Sequence, residues 1–184
     1  MTVPGTPDLY QGCEFWDFTL VDPDNRRPVD FATRVAALKV EQSPSELLEN
    51  WRDGRIKQHL IACTLAARKA NPELFAEGDY LALEVEGQCA EQVIAFARRY
   101  QNEWLVVIIP RLAAQLLGDQ QIPQIPADAW GDTQVILPSG FAHTGDFKNL
   151  FSSGRQRPEQ GRLAVQQVLA EFPVSGLLSC EARG

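Results

Sequence analysis

A chain of 184 residues, 45% apolar and 22% charged, has the makeup of a soluble globular protein with room for one domain or two small ones. Its formal charge of -7 argues against nucleic acid as a partner, because phosphate binding needs basic patches; a neutral, polyhydroxylated ligand fits. No apolar run is long enough to span a membrane, and the start at Met1-Thr2-Val3-Pro4-Gly5 has no signal-like basic or apolar region. The cysteines Cys13, Cys63, Cys89 and Cys180 form no C-x-x-C pair and no dense framework, so a reduced, cytoplasmic protein is expected.

In chain order, a short strand fits only at residues 7–11, bounded by Pro and Gly, and no hairpin partner follows nearby. Residues 17–30 read as a polar loop stiffened by Pro23 and Pro28. Asp30 can cap a first helix that carries Phe31, Val35 and Leu38 on one face. Ser43-Pro44-Ser45-Glu46 is a capping box with proline at the first helical position, and Leu47, Leu48 and Trp51 supply its apolar face. A third helix runs over residues 55–70. Ile56, Leu60, Cys63 and Ala67 share one side and Ile61 and Leu65 lie opposite, the pattern of a helix packed between two layers. Asn71-Pro72 ends it.

After Gly78 the apolar period changes from 3.6 to 2. Leu81, Leu83 and Val85 alternate with Ala82, Glu84 and Glu86, and Val93, Ala95 and Ala97 alternate with Ile94, Phe96 and Arg98. Residues 104–109 are apolar on both faces, like a central strand; further strands are expected at 133–137, 163–169 and 174–180, with a loop at 117–129. The fold class is α+β, with residues 1–77 forming a strand, loop and helices and residues 78–184 an antiparallel, sandwich-like β domain.

Gly5-Thr6-Pro7-Asp8-Leu9-Tyr10-Gln11-Gly12-Cys13-Glu14 resembles the eighth-strand motif of the amylase clan (glycoside hydrolase family 13), Gly-x-Pro-x-x-Tyr-x-Gly-x-Glu. The continuation Phe15-Trp16-Asp17-Phe18-Thr19-Leu20-Val21-Asp22-Pro23-Asp24-Asn25-Arg26-Arg27-Pro28-Val29-Asp30, with Trp51-Arg52-Asp53-Gly54-Arg55-Ile56-Lys57, resembles the maltooligosyltrehalose synthases more narrowly. The stretch Arg68-Lys69-Ala70-Asn71-Pro72-Glu73-Leu74-Phe75 followed by Gly78-Asp79-Tyr80 is similar to the family's eighth helix and its exit into a C-terminal β domain. Phe147-Lys148-Asn149-Leu150-Phe151-Ser152-Ser153-Gly154-Arg155 departs from the family's Trp-x-Asp-x-Leu-Thr-Gly-Arg.

The resemblance implies the last strand and helices of an amylase-type (β/α)8 barrel in residues 1–77 and the C-terminal β domain in residues 78–184. It implies an enzyme that converts the reducing-end α-1,4 bond of a maltooligosaccharide to an α,α-1,1 (trehalose) bond by intramolecular glucosyl transfer, without cofactor or metal. Retaining transfer needs two carboxyl groups about 5 Å apart. The family takes these from strands before its eighth, so no catalytic residue carries over to this chain, which is expected to be inactive alone. Tyr10, Glu14, Trp16, Asp22, Asp24, Asn25, Arg26 and Arg27 match the motif and loop on the active face and are the candidate substrate-binding residues. The same Asp22–Arg27 stretch reads equally as a self-paired turn. With seven barrel strands missing, residues 1–75 are expected to be poorly ordered or to pack against another copy or the rest of a barrel.

Two rival readings remain. A carbohydrate-binding module would display Tyr80, Phe96, Tyr100, Trp104 and Trp130 as a glycan platform, and fails if Tyr100, Trp104 and Trp130 are core. A purely structural domain would bind nothing. His59 and His143 lack acidic or Cys partners at ligand spacing, so neither predicts a metal site.

Overall fold

The computed structural model describes residues 1–139, 141 and 145–180. His143 lies outside the described residues. The helices begin where the sequence places their caps. Helix α1 (Phe31–Leu38) starts at Asp30, whose carboxylate accepts from the Thr33 backbone N–H at 3.0 Å. Helix α2 (Pro44–Glu49) carries the full capping box: Ser43 Oγ accepts from Glu46 N, and Glu46 Oε2 accepts from Ser43 N at 2.8 Å. These bonds hold both carboxyls below their ordinary values, the Asp30 carboxyl through the Thr33 hydroxyl first and the Glu46 carboxyl through the Ser43 backbone first. Helix α3 (Arg55–Ala70) follows Gly54, and helix α4 (Pro72–Ala76) restarts at once with proline at its first position.

The β half is two antiparallel sheets. Strands β1 (Asp79–Ala82), β3 (Val93–Tyr100), β4 (Glu103–Pro110), β9 (Ser175–Ser179), β6 (Phe147–Asn149) and β7 (Arg155–Gln156) form the larger, in that order. Strands β2 (Val85–Glu86), β5 (Gln134–Ile136) and β8 (Arg162–Ala164) form the smaller. The apolar run of β4 is buried on both faces. Trp104, Val106 and Ile108 join the core shared with the small sheet, where Val135 and Leu163 meet them. Leu105 and Val107 point the other way, onto Phe96, Ala67 of α3 and Leu74 and Phe75 of α4. A third cluster seats Leu47 and Leu48 of α2 and Ile56 of α3 on Phe151 and Phe172. The large sheet thus lies between the small sheet and helices α2–α4.

The structure departs from the sequence reading at several points. No strand forms at residues 7–11, because no described segment lies alongside to complete a ladder. Helix α3, read as packed between two layers, rests its Ile56, Leu60, Cys63 and Ala67 side on the β half, while Leu65 on the other side is exposed; α1 buries none of its residues. The 163–169 stretch splits into β8 and a short helix, α6 (Val165–Val168), whose three-residue spacing buries Val165 and Val168 together. Strands β6 and β7 went unforeseen: they are too short to show an alternation, and they exist through pairing with β9 and each other. The 117–129 loop is bracketed by helix α5 (Ala114–Leu117) and a 3-10 turn at Ala127–Trp130.

Arg98 is the one buried arginine among the described residues, 1% exposed, on the helix side of β3. No carboxylate pairs with it among the described residues. Its guanidinium instead donates to the backbone carbonyls of Gly78 at 2.7 Å, Phe75 at 3.1 Å and Thr2 at 3.2 Å. Burial, aided by the like charge of Arg68, lowers its pKa from the ordinary arginine value. Arg68 binds the Met1 carbonyl at 2.6 Å and stacks on Phe75. The turn from α4 into β1 and the first residues of the chain are therefore fastened by two cations acting on carbonyls. No described helix is long and apolar enough to cross a membrane.

Replacing Arg98 by Met keeps the volume and strips the donors from buried carbonyls, so unfolding stability should fall by about 3 kcal/mol, read from urea midpoints. An Arg98→Met protein as stable as the parent would show that these carbonyl contacts contribute nothing.

Candidate functional site

The candidate residues fall into two groups, and the first is pinned to the helices. Arg34 of α1 donates to the Gly12 carbonyl at 2.7 Å, faces the Glu14 carboxylate at 3.3 Å and lies over the Phe15 ring. Lys57 of α3 donates to the Phe15 carbonyl at 3.1 Å and sits over the Trp16 ring. Trp16 Nε1 donates to the Trp51 carbonyl at 2.6 Å, and the two indoles meet edge to face with centroids 6.3 Å apart. Trp51 in turn donates to the Gln121 carbonyl at 3.1 Å, tying the site to the long loop of the β half. Glu14 and Trp16 are therefore both engaged, while Tyr10 is exposed and accepts a hydrogen bond at its carbonyl from Cys13 N.

Gly54 makes this packing possible. Its φ is +86°, and a Cβ there would lie 2.8 Å from Trp16 N and 2.9 Å from the Phe15 Cβ. The left-handed turn before α3 and the close pass of residues 15 and 16 are one feature.

The second group is a self-contained turn. Asp22 pairs with Arg26, and Asp24 pairs with Arg27. Arg26 also donates to the second Asp22 oxygen at 2.9 Å, and Asp24 accepts from the Leu20 N–H at 2.9 Å. Arg26 and Arg27 stay mostly in solvent, so these pairs hold shape more than they stabilise the fold. Asn25 Oδ1 is buried without a hydrogen-bond partner among the described residues. No hydrogen bond or ion pair among the described residues joins this turn to the Gly12–Trp16 group. The structure thus displays the self-paired turn, with both signs of charge presented side by side.

Around these groups lies an uncovered apolar surface. Most large apolar side chains left exposed fall between Val3 and Val40, among them Phe18 at 90%, Val21 at 83% and Leu20 at 76%. All three residues of the predicted apolar face of α1, Phe31, Val35 and Leu38, are exposed, each by about half.

Of the residues a glycan platform would use, Tyr80 is exposed and Phe96 is buried. Trp104 and Trp130 are core residues, 3% and 1% exposed, and Tyr100 is half-buried against the helix-side core. Sequence reasoning missed three partners. Arg34 and Lys57 anchor the Gly12–Trp16 group across 22 and 42 residues, a separation no local pattern reveals. Cys63, one helical turn beyond His59, brings its Sγ to 3.6 Å from His59 Nε2, so this histidine does have a thiol neighbour. Burial pushes the Cys63 thiol above its ordinary value, and no three-residue metal cluster occurs among the described residues.

No family model matches the chain. Over 148 residues, 79% of its length, the chain is 37% identical to a Mycobacterium tuberculosis protein named for maltooligosyl trehalose synthase. A mutant of maltooligosyltrehalose synthase from Arthrobacter ramosus superposes on 96% of the chain with a TM-score of 0.70 and 31% identity. Over the part it covers, the chain belongs to the maltooligosyltrehalose synthase family. A second solved maltooligosyl trehalose synthase matches 97% of it at 26% identity and a TM-score of 0.65. The chain spans 17% of the Mycobacterium tuberculosis relative and 20% of each solved chain. Such partial coverage fits a C-terminal portion of a maltooligosyltrehalose synthase.

A Gly54→Ala protein should lose about 2–4 kcal/mol, since the new Cβ meets both a left-handed φ and backbone atoms of residues 15 and 16. Trp fluorescence should shift as Trp16 leaves Trp51. Unchanged stability and fluorescence would mean that the close pass is unimportant.

Proposed function

We propose that this chain works as the C-terminal part of a maltooligosyltrehalose synthase. Residues 1–77 supply the end of an amylase-type (β/α)8 barrel, and residues 78–184 form the β domain that backs it. The complete, cytoplasmic enzyme isomerises the reducing-end α-1,4 bond of a maltooligosaccharide to an α,α-1,1 bond by intramolecular transglucosylation. The observation that carries this reading is the uncovered apolar face of residues 3–40, where α1 presents Phe31, Val35 and Leu38 to solvent beside the loop that resembles the family's active face. Contiguous exposed apolar surface of this kind marks an interface, and the rest of the barrel is the partner we assign to it.

In that assembly the chain's own groups bind and position. The Asp22–Arg26 and Asp24–Arg27 pairs offer acceptors and donors fixed in place, suited to sugar hydroxyls. Asn25 has an unused acceptor, and Trp16, clamped by Trp51 and Lys57, offers a ring edge for a pyranose. Tyr10 and Glu14 line the approach. The carboxyl pair that transfers the glucosyl group comes from the preceding barrel strands. The chain needs no cofactor for this role.

Incubated alone with maltopentaose, the chain should leave the reducing ends untouched. Coexpressed with the remaining portion of a maltooligosyltrehalose synthase, it should restore conversion, and Asp24→Ala should raise KM several-fold in that complex. Val35→Asp should block the complex while leaving the melting temperature of the chain alone unchanged. Turnover by the chain alone, or a complex indifferent to Val35→Asp, would remove the proposal.

A further inference from the structure

The loop at residues 17–30 carries Asp22, Asp24, Asn25, Arg26 and Arg27, and both of its ends meet at one side chain. Arg34 lies on α1, just beyond the loop. Its Nη2 donates to the Gly12 carbonyl at 2.7 Å, ahead of the loop, and its Nη1 donates to the Asp30 carbonyl at 3.1 Å, at the loop's end. Its Nε faces Glu14 Oε2 at 3.3 Å, and both atoms of that ion pair are shut off from solvent. The guanidinium also lies over the Phe15 ring, 4.9 Å from its centroid. The two ends of the loop approach each other directly as well: a Cβ on Gly12 would lie 3.0 Å from Val29 Cγ2. Arg34 is itself held from behind. Gln58 of α3, 4% exposed, donates its side-chain amide to the Arg34 carbonyl at 3.0 Å.

A guanidinium suits this junction. It presents several N–H groups in one fixed plane, so a single cation holds two carbonyls and a carboxylate together; an ammonium is a point charge without that fork. Within the loop, the Asp22–Arg26 and Asp24–Arg27 pairs close on near neighbours and fix only the shape of the turn. Where the turn sits is decided at its base. Burial does not decide it, since none of the three apolar clusters includes a residue before Leu47. Lys57 and Trp51 hold the incoming end at Phe15 and Trp16. Arg34 adds the outgoing end. We propose that Arg34 is a positioning residue for the substrate: it closes the base of the loop and so sets where Asp22, Asp24, Asn25, Arg26 and Arg27 meet a maltooligosaccharide. The inference rests on the synthase reading of this chain. Contacts of such a loop are made alike to substrate and transition state, so losing their alignment raises KM and spares kcat.

The test uses the chain alone and its complex with the remaining portion of a maltooligosyltrehalose synthase. In the chain alone, Arg34→Met should leave the melting temperature near the parent's and speed tryptic cleavage between Arg26 and Arg27, because the base of the loop is released. In the complex, Arg34→Met should copurify as the parent does and raise KM for maltopentaose about tenfold, with kcat within about twofold of the parent's. Arg34→Lys keeps the charge and should not restore KM. In an Asp24→Ala background Arg34→Met should cost less, because one contact that it positions is already gone. Unchanged cleavage, or an unchanged KM in a working complex, would overturn the inference. So would full rescue by lysine, a cost that simply adds to that of Asp24→Ala, or a fall in kcat with KM kept. A lower melting temperature or failed copurification would overturn it too, since Arg34 would then serve the fold or the assembly. A parent complex without turnover would sink the synthase reading, and this inference with it, whatever the cleavage shows.

Discussion

Burial of β4 on both of its faces is the constraint from which the rest of the structure follows. A strand with Trp104, Val106 and Ile108 on one side and Leu105 and Val107 on the other has no solvent face to offer. Something must cover each side. The small sheet covers one, and α3 and α4 cover the other. That second layer joins the two halves of the sequence: the helices belong to residues before Gly78, and the surface they cover belongs to residues after it. The same alternation in β3 sends Arg98 to the helix side, where no carboxylate among the described residues pairs with it. Its charge is met by carbonyls at the α4–β1 turn, so a position fixed by strand period becomes the fastening of the chain reversal.

The front of the molecule is organised differently. Residues 10–27 gain little from burial and rely on directed polar contacts. Arg34 and Lys57 hold backbone carbonyls, Trp16 is locked on Trp51, and the Asp22–Arg27 turn closes on its own charges. A loop shaped in this way keeps its geometry without a ligand, which lowers the entropy that a later contact must overcome. Its polar groups stay near the surface, while the apolar residues between them, Phe18, Leu20 and Val21, remain uncovered. Polar groups satisfied locally beside apolar groups left open is the composition of a surface shaped to meet more protein.

The β half acts as a buttress for that surface. Trp51 reaches Gln121, and α2 and α3 rest on Phe151 and Phe172, so the platform under the loop is set by strands far along the chain. A change in the sheet would move the loop without touching it.

Much of this was legible in the amino-acid sequence because it rests on short-range chemistry. The Ser43–Glu46 capping box, the Asp30 cap, the three main helices and the two-faced β4 follow from neighbours within a turn or a pleat, as does the Asp22–Arg27 pairing. The motif at residues 5–30 pointed to the family that the relatives then established. What the sequence left undecided depends on partners distant in the chain. A strand at residues 7–11 needs a ladder that the described structure does not supply, and β6 and β7 are strands only because β9 lies beside one of them. Whether Trp104 and Trp130 face sugar or core, and which side of α3 finds a layer, turned on how the sheets stack. Local pattern fixes what a segment can do, because propensity and capping act over a few residues; tertiary structure decides which face is covered, because burial is settled by whatever packs against it.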